Sequence, residues 1–157
     1  MAVQESRLDL AIGAFSMRMS GLIYQALYRE QHWLYCSDRH PLYEAQHLSV
    51  DVVTQQRMAG RGYWSQAELA RHGFKHSAAM VESMEAQLIL VLSGVYIGYL
   101  PEHYAQRWEE QGRLRRLLTN AFGYQAPFSL VLRRTRSREP LIYSFRDRLV
   151  AQFNTLK

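Results

Sequence analysis

Residues 81–101 read VESMEAQLILVLSGVYIGYLP, and this stretch decides the fold. Ser83 is a residue type that caps a helix by accepting a backbone N–H, and the run that follows it is almost wholly apolar. Gly94 is typical of a helix end, where a left-handed conformation closes the last turn. Residues 95–100 then predict a short buried strand, which Pro101 ends while opening another helix. A buried helix that leads into a buried strand is half of a parallel α/β unit, so the predicted class is α/β.

Length and composition limit the remaining possibilities. A chain of 157 residues fits one domain or two small lobes. No apolar run approaches the roughly 20 residues of a membrane helix, and the first ten residues lack the pattern of a signal peptide. The single cysteine, Cys36, excludes an internal disulfide and favours a reducing compartment, so we expect a cytoplasmic protein. The formal charge of +5 favours anionic partners without specifying them.

Outside the central stretch, the periodicity predicts further short strands and helices. Strand-like runs lie at 8–13, 22–28, 32–36, 57–59, 75–80 and 128–132, and helical runs lie at 49–55, 65–73, 102–111 and 141–153. We expect Glu30 and Gln31 to interrupt the second and third strand-like runs, and residues 60–64 to form a glycine-hinged loop. Pro127 is expected to precede the last strand, and the type of residues 113–118 stays open.

Four stretches together resemble the effector-binding half of the LysR-type transcriptional regulators. Residues 82–85, ESME, and 94–101, GVYIGYLP, fit that family's capped helix and glycine-containing strand. Residues 8–12, residues 39–42 and the strand from 128 with the closing helix agree in order and spacing. Tyr96 stands where the family usually has a second glycine, so the backbone there does not need a glycine-only conformation.

The resemblance implies a two-lobed, periplasmic-binding-protein-like (type II) regulatory domain. Lobe I would comprise 1–30 and 129–157, and lobe II would comprise 31–128. The chain begins at what would be the third strand of lobe I, so lobe I is expected to be incomplete and the winged helix-turn-helix segment to be absent. A small molecule in the cleft between the lobes would act through a homo-oligomer on DNA. We expect the incomplete lobe to expose an apolar face or sheet edge that a second copy covers.

General rules for α/β sheets predict where the small molecule binds. Ligands collect beyond the carboxyl ends of strands, beside helix N-termini. The residues in such positions are Phe15, Ser16, Arg61, Gly62, Tyr63, Ser83 and Met84. Arg61 and the helix N-terminus favour a small carboxylate, while Glu82 and Glu85 oppose it. The alternative stays open that Ser83 only caps its helix and that Arg61 points at solvent.

Other functions find less support in the sequence. A solute-binding protein of a transport system shares the expected fold type, and a small α/β hydrolase or transferase is a further alternative. The chain has no G-x-S-x-G elbow, G-x-G-x-x-G fingerprint or P-loop, so we expect neither an enzyme nor a cofactor. His72 and His76 stand four apart without a third metal ligand, and Cys36 lies in an apolar run. The arginines of residues 133–138 lack interleaved aromatic residues, which favours a solvated turn over a nucleic-acid grip.

Overall fold

The computed structural model of the protein describes residues 8–15, 17–62, 64–137 and 139–154. In these ranges the strands are β1 (Leu10–Ala14), β2 (Leu22–Ser37), β3 (Met58–Arg61), β4 (Ala79–Val81), β5 (Ile97–Pro101), β6 (Leu114–Arg116) and β7 (Gly123–Arg133). The helices are α1 (Val50–Thr54), α2 (Gln66–Arg71), α3 (Met84–Leu92), α4 (Glu102–Glu110) and α5 (Pro140–Asn154), with a 3-10 helix at Arg134–Arg136. None of these helices is long and apolar enough to cross a membrane.

The chain divides into two compact units. Unit 1 comprises Met1–Glu30 and Gln125–Lys157, and unit 2 comprises Gln31–Tyr124. Strands β2 and β7 are long enough to run from one unit into the other. Each unit has hydrophobic clusters of its own.

Helix ends follow from the local sequence. Ser49, Ser65 and Ser83 are N-caps, and the side chain of each accepts a backbone N–H from the first turn. Ser65 and Glu68 form the expected capping box. Gly94 has φ +80°, the left-handed conformation that ends a helix. The predicted helices at these places are confirmed.

Unit 2 contains a mixed sheet with β3 at its parallel centre. β3 pairs in parallel with β4 and β5, and β5 pairs antiparallel with β2. β6 also pairs antiparallel with β2. The parallel arrangement follows from α2 and α3, which provide the long connections that parallel strands need.

Both faces of the central strands β3 and β5 of the unit 2 sheet are buried. Side chains alternate along a strand, so neighbouring residues enter different clusters. Leu34 and Tyr99 belong to the cluster that includes Trp64, Leu69 and Phe74. Their neighbours Tyr35 and Leu100 belong to the cluster formed with α3 and α4. Because β5 is buried on both faces, its sequence is apolar at nearly every position.

Unit 1 is built from the antiparallel pair β1 and β7, with β2 beside β7 and helix α5. Leu130 and Leu132 pack with Ile142 of α5, whereas Val131 lies in a cluster with Leu22. Tyr28 stacks between Phe128 and Phe153, with ring centroids 4.8 and 5.1 Å away. The helix predicted at 141–153 is therefore confirmed and docks on this sheet.

Three predicted boundaries are wrong. Glu30 and Gln31 do not interrupt a strand, because β2 is continuous and the Gln31 side-chain amide donates to the carbonyl of Tyr124 at 3.2 Å. Pro127 lies inside β7 rather than before it. Its missing N–H costs no bond to β1, because that pairing begins at Phe128. β3 continues through Gly60 and Arg61, so the loop starts later than predicted.

Two further segments are settled by strand pairing. The strand predicted at 75–80 is shorter and later, since β4 covers Ala79–Val81. The undecided stretch 113–118 contains β6. Tyr96 is not among the residues with positive φ, so this position does not need a glycine, as expected.

Candidate functional site

The carboxyl ends of β3 and β4 lie level with each other. Arg61 is the register partner of Val81, and the N–H of Gly62 donates to the Val81 carbonyl at 2.9 Å. Since α3 begins directly after β4, the end of β3 and the start of α3 come together. The structure thus unites four of the predicted site residues, Arg61, Gly62, Ser83 and Met84, in unit 2.

Arg61 is buried at this edge. Only 7% of its surface is exposed, and Nη2 donates to the Met84 sulfur at 3.3 Å. A thioether is a weak acceptor, so this contact is weaker than a hydrogen bond to a carboxylate would be. The alternative that Arg61 points at solvent is wrong, because β3 extends through this residue and turns its side chain toward α3.

Ser83 and Glu82 show how the start of α3 is arranged. Ser83 Oγ accepts the N–H of Ala86 at 3.2 Å, so this residue does cap the helix. The Glu82 carboxylate lies against Gly62, and a Cβ at position 62 would overlap it. A negative charge therefore stands at Gly62, at the same edge of the sheet, and it limits how strongly this edge attracts a simple anion.

The remaining predicted site residues are Phe15, Ser16 and Tyr63. Phe15 belongs to unit 1, where its ring meets Tyr24 edge-on at a centroid distance of 6.0 Å. It packs on the cluster formed by Leu22 and Val131. Ser16 and Tyr63 lie outside the described residues.

An aromatic cluster follows β3 and was not predicted as part of a site. Trp64 comes three residues after Arg61, and the backbone N–H of Trp64 donates to the Arg61 carbonyl at 2.9 Å. The ring of Trp64 stacks on that of His72 with the ring centroids 4.6 Å apart. Tyr99 Oη donates to the His72 carbonyl at 3.2 Å. Burial lowers the pKa of His72 and raises the pKa of Tyr99, so both side chains are neutral at pH 7.

The aromatic cluster extends to the edge of unit 2. The ring centroid of Tyr124 lies 4.3 Å from that of His72, and Tyr124 stacks on His32 with a centroid distance of 4.6 Å. The sequence contained one signal for it, namely Trp64 at the end of a glycine-hinged segment. The other members are far apart in sequence, and aromatic residues on apolar runs are usually core residues.

Other candidate chemistry has a structural explanation. Among the described residues, no group of three or more His, Cys, Asp or Glu side chains could hold a metal ion. Cys36 is fully buried, and burial raises its pKa to about 11, so it stays protonated. Arg136 forms ion pairs with Asp9 and Glu139, so carboxylates partly neutralise the arginine-rich turn.

Known families and sequences give the chain close relatives. The family described as LysR substrate binding domain matches residues 1–154. The HTH-type transcriptional activator BauR of Pseudomonas aeruginosa is 35% identical over 139 residues, or 87% of this chain and 46% of that protein. The chain therefore spans about half the length of this curated relative.

Solved structures share the fold. The regulatory domain of CrgA, a LysR-type transcriptional regulator from Neisseria meningitidis, is similar with a TM-score of 0.75 and 21% identity, covering 98% of this chain and 79% of that one. The CcmR regulatory domain of Synechocystis PCC6803, solved in complex with 2-PG, gives a TM-score of 0.78 and 18% identity, covering 97% and 76%. At these identities the likeness concerns the fold alone.

Proposed function

Because this chain belongs to the LysR substrate binding domain family, we propose that it senses a small carboxylate at the carboxyl ends of β3 and β4 and thereby controls a DNA-binding transcriptional regulator. The observation that carries this proposal is the burial of the Arg61 guanidinium beside Met84 at the start of α3. A carboxylate that reached this guanidinium would accept a charge-assisted hydrogen bond, which is stronger than the contact with the thioether.

The start of α3 supports the same ligand class. The first N–H groups of a helix have no intrahelical partner, and Ser83 takes the N–H of Ala86. The others, together with the helix dipole, favour negative charge. Glu82 and Glu85 oppose it, so we propose a ligand that is held by Arg61 and by shape rather than by a strongly positive surface.

The wider site is also a proposal. Phe15, Ser16 and Tyr63 would contact the rest of the ligand, with the rings of Phe15 and Tyr63 against its apolar part. We further propose that unit 1 corresponds to lobe I of the family and unit 2 to lobe II.

Control of transcription needs parts beyond a ligand site. A ligand shifts a regulator between two states only if it binds one of them better. We propose that the chain acts as a homo-oligomer in the cytoplasm and reaches DNA through an N-terminal helix-turn-helix segment of the whole regulator. The relatives are transcriptional regulators rather than enzymes, which supports a role without catalysis.

The test uses calorimetry on the full-length regulator with a panel of small carboxylates and their uncharged amides. Carboxylates should bind and the amides should not. Arg61→Gln should weaken carboxylate binding about tenfold, the loss expected for one charge-assisted hydrogen bond. Glu82→Gln should tighten it, because the change removes a nearby negative charge and keeps the shape of the side chain.

Arg71→Gln is the matched control, since Arg71 is an exposed arginine of α2 in the same unit. It should leave binding unchanged. Equal affinity of the parent and Arg61→Gln for every bound carboxylate would place the site elsewhere.

A further inference from the structure

A cleft of about 510 Å³ lies at the opposite end of β3 from Arg61. It is lined by the end of α1, the residues that enter β3 and the loop that enters β4, all within unit 2. Met58 is buried at its floor. Pockets of roughly 300–1,000 Å³ typically hold small molecules. With a rise of about 3.3 Å per residue, the three steps along β3 from Met58 to Arg61 separate the cleft from Arg61 by roughly 10 Å.

Basic residues outnumber acidic ones in the lining. The basic residues are Arg57, Lys75 and His76, and the one acidic residue is Asp51. Within the part of the chain that the structure describes, none of these three basic side chains forms an ion pair. The arginine-rich turn of unit 1 differs in this respect, because Arg136 pairs there with two carboxylates. The cleft thus keeps its positive charge available.

The cleft is also held in shape. Arg57 lies over the ring of Tyr96, with its guanidinium carbon 5.1 Å from the centroid, and donates to Tyr96 Oη at 3.3 Å. The side-chain amide of Gln66 donates to the Lys75 carbonyl and ties the loop to α2. These contacts fix two of the basic residues without using up their charge.

The end of α1 would oppose an anion if its carbonyls were free, but three of them accept hydrogen bonds. The carbonyl of Val52 accepts from the Gln56 side chain at 2.9 Å, and that of Val53 accepts from the Gln56 N–H at 3.1 Å. The carbonyl of Asp51 accepts from Thr54 Oγ1 at 3.1 Å. The negative end of the helix dipole is therefore largely covered.

We propose that this cleft is a second ligand site, which takes a small anion with two or more negative charges. A phosphate monoester and a dicarboxylate share that chemistry. The two positive charges of Arg57 and Lys75 match it. The site is independent of the one proposed at Arg61, because no residue is common to both. An anion bound here would act at the amino ends of β3 and β4, while the effector would act at their carboxyl ends.

The test records amide chemical shifts of the full chain while inorganic phosphate is added at constant ionic strength. Signals of residues 51–57 and 73–78 should move in a saturable way, and those of residues 61, 62 and 82–85 should stay. Glycerol phosphate and succinate, titrated separately, distinguish the two sources of the charge, and the tighter of the two identifies the ligand class. The proposal is overturned if none of the three anions moves the signals of the cleft.

Variants separate a built site from general surface charge. Arg57→Gln with Lys75→Gln should weaken phosphate binding at least about tenfold, because each removes a charge-assisted contact. Asp51→Asn should tighten it. Arg71→Gln removes the same kind of charge from an exposed position outside the cleft and should leave phosphate affinity unchanged. An equal loss in Arg71→Gln would show that only net charge matters and would overturn the proposal.

Discussion

Unit 2 buries the central strands of its sheet on both faces, whereas helix α5 of unit 1 leaves several large apolar side chains exposed. In unit 2, α3 and α4 cover one face of the sheet, and the cluster around Trp64 and Phe74 covers the other. In unit 1, Ile142 is the α5 side chain that is fully buried, while Leu141 is 82% exposed and Phe145 is 51% exposed. Ile12 of β1 is exposed as well.

The difference shows which part of the chain is structurally self-sufficient. Unit 2 buries Arg61 and most of the aromatic cluster, and it contains the whole of the basic cleft. Unit 1 exposes apolar side chains on β1 and α5 that a second copy of the chain would cover, in line with the proposed homo-oligomer. Substitutions in β5 of unit 2 should therefore cost far more than substitutions on the exposed face of α5 in unit 1.

The largest difference is expected for matched leucine substitutions. Leu100→Ala empties a fully buried position in β5 and should lower the free energy of unfolding by about 3 kcal/mol. Leu141→Ala, in the exposed face of α5, should change it by less than about 0.5 kcal/mol. Urea unfolding followed by circular dichroism measures both. Similar losses would mean that the apolar face of unit 1 is already covered in solution.

Two left-handed glycines give the next largest contrast. A Cβ at Gly94 in unit 2 would lie 2.6 Å from the Arg39 Cβ and 2.9 Å from the Arg39 carbonyl oxygen. A Cβ at Gly21 in unit 1, with φ +78°, would meet nothing within 4 Å. Both Ala variants carry backbone strain of about 1 kcal/mol, and the clash should raise the loss for Gly94→Ala to about 2–3 kcal/mol. Thermal melts of the two variants check the order, which a larger loss for Gly21→Ala would contradict.

The response to acid should also be confined to unit 2, which contains all six histidines. Burial lowers the pKa of His72, with Glu68 opposing this and His32 and Arg71 adding to it. Burial lowers the pKa of His40 too, and its Nδ1 accepts the N–H of Leu42. The fold favours the neutral rings, so stability is complete above the ordinary value of 6.5 and falls as the pH drops toward the lowered pKa values.

Hydrogen exchange of backbone amides at neutral and at mildly acidic pH measures this effect in each unit. Protection should decline in unit 2 below about pH 6.5 and change little in unit 1. His72→Gln should flatten the decline, and His47→Gln, at an exposed position, should not. An equal decline in both units would show that the histidines do not control it.

The smallest effect is expected at the arginine-rich turn of unit 1. Arg136 is paired with Asp9 and Glu139 at the surface, and Arg134 is exposed. Replacing both arginines by Ala should leave duplex DNA affinity unchanged over a range of salt concentrations, because exposed paired charges have little left to offer phosphates. Fluorescence anisotropy with a labelled duplex measures this. A salt-dependent loss of binding would show that this turn contacts the DNA backbone.

The helix ends were predictable because each depends on a few neighbouring residues. Ser83 caps α3 through a bond to Ala86, three positions away, and Ser65 and Glu68 form a capping box over the same span. The left-handed glycine after α3 is likewise a local feature. The family resemblance rests on these local signals together with the order of the strands, and for that reason one sequence was enough to identify the fold class.

Tertiary structure decided the features that join distant residues. The burial of Arg61 depends on β3 lying between β4 and β5, and the continuity of β2 through Gln31 depends on Tyr124, more than ninety positions away. The basic cleft combines residues from α1, β3 and the loop before β4 that share no motif. Capping hydrogen bonds can be predicted from the sequence because they join residues within one turn. Strand pairing, burial and cavity shape arise only when the whole sheet has assembled.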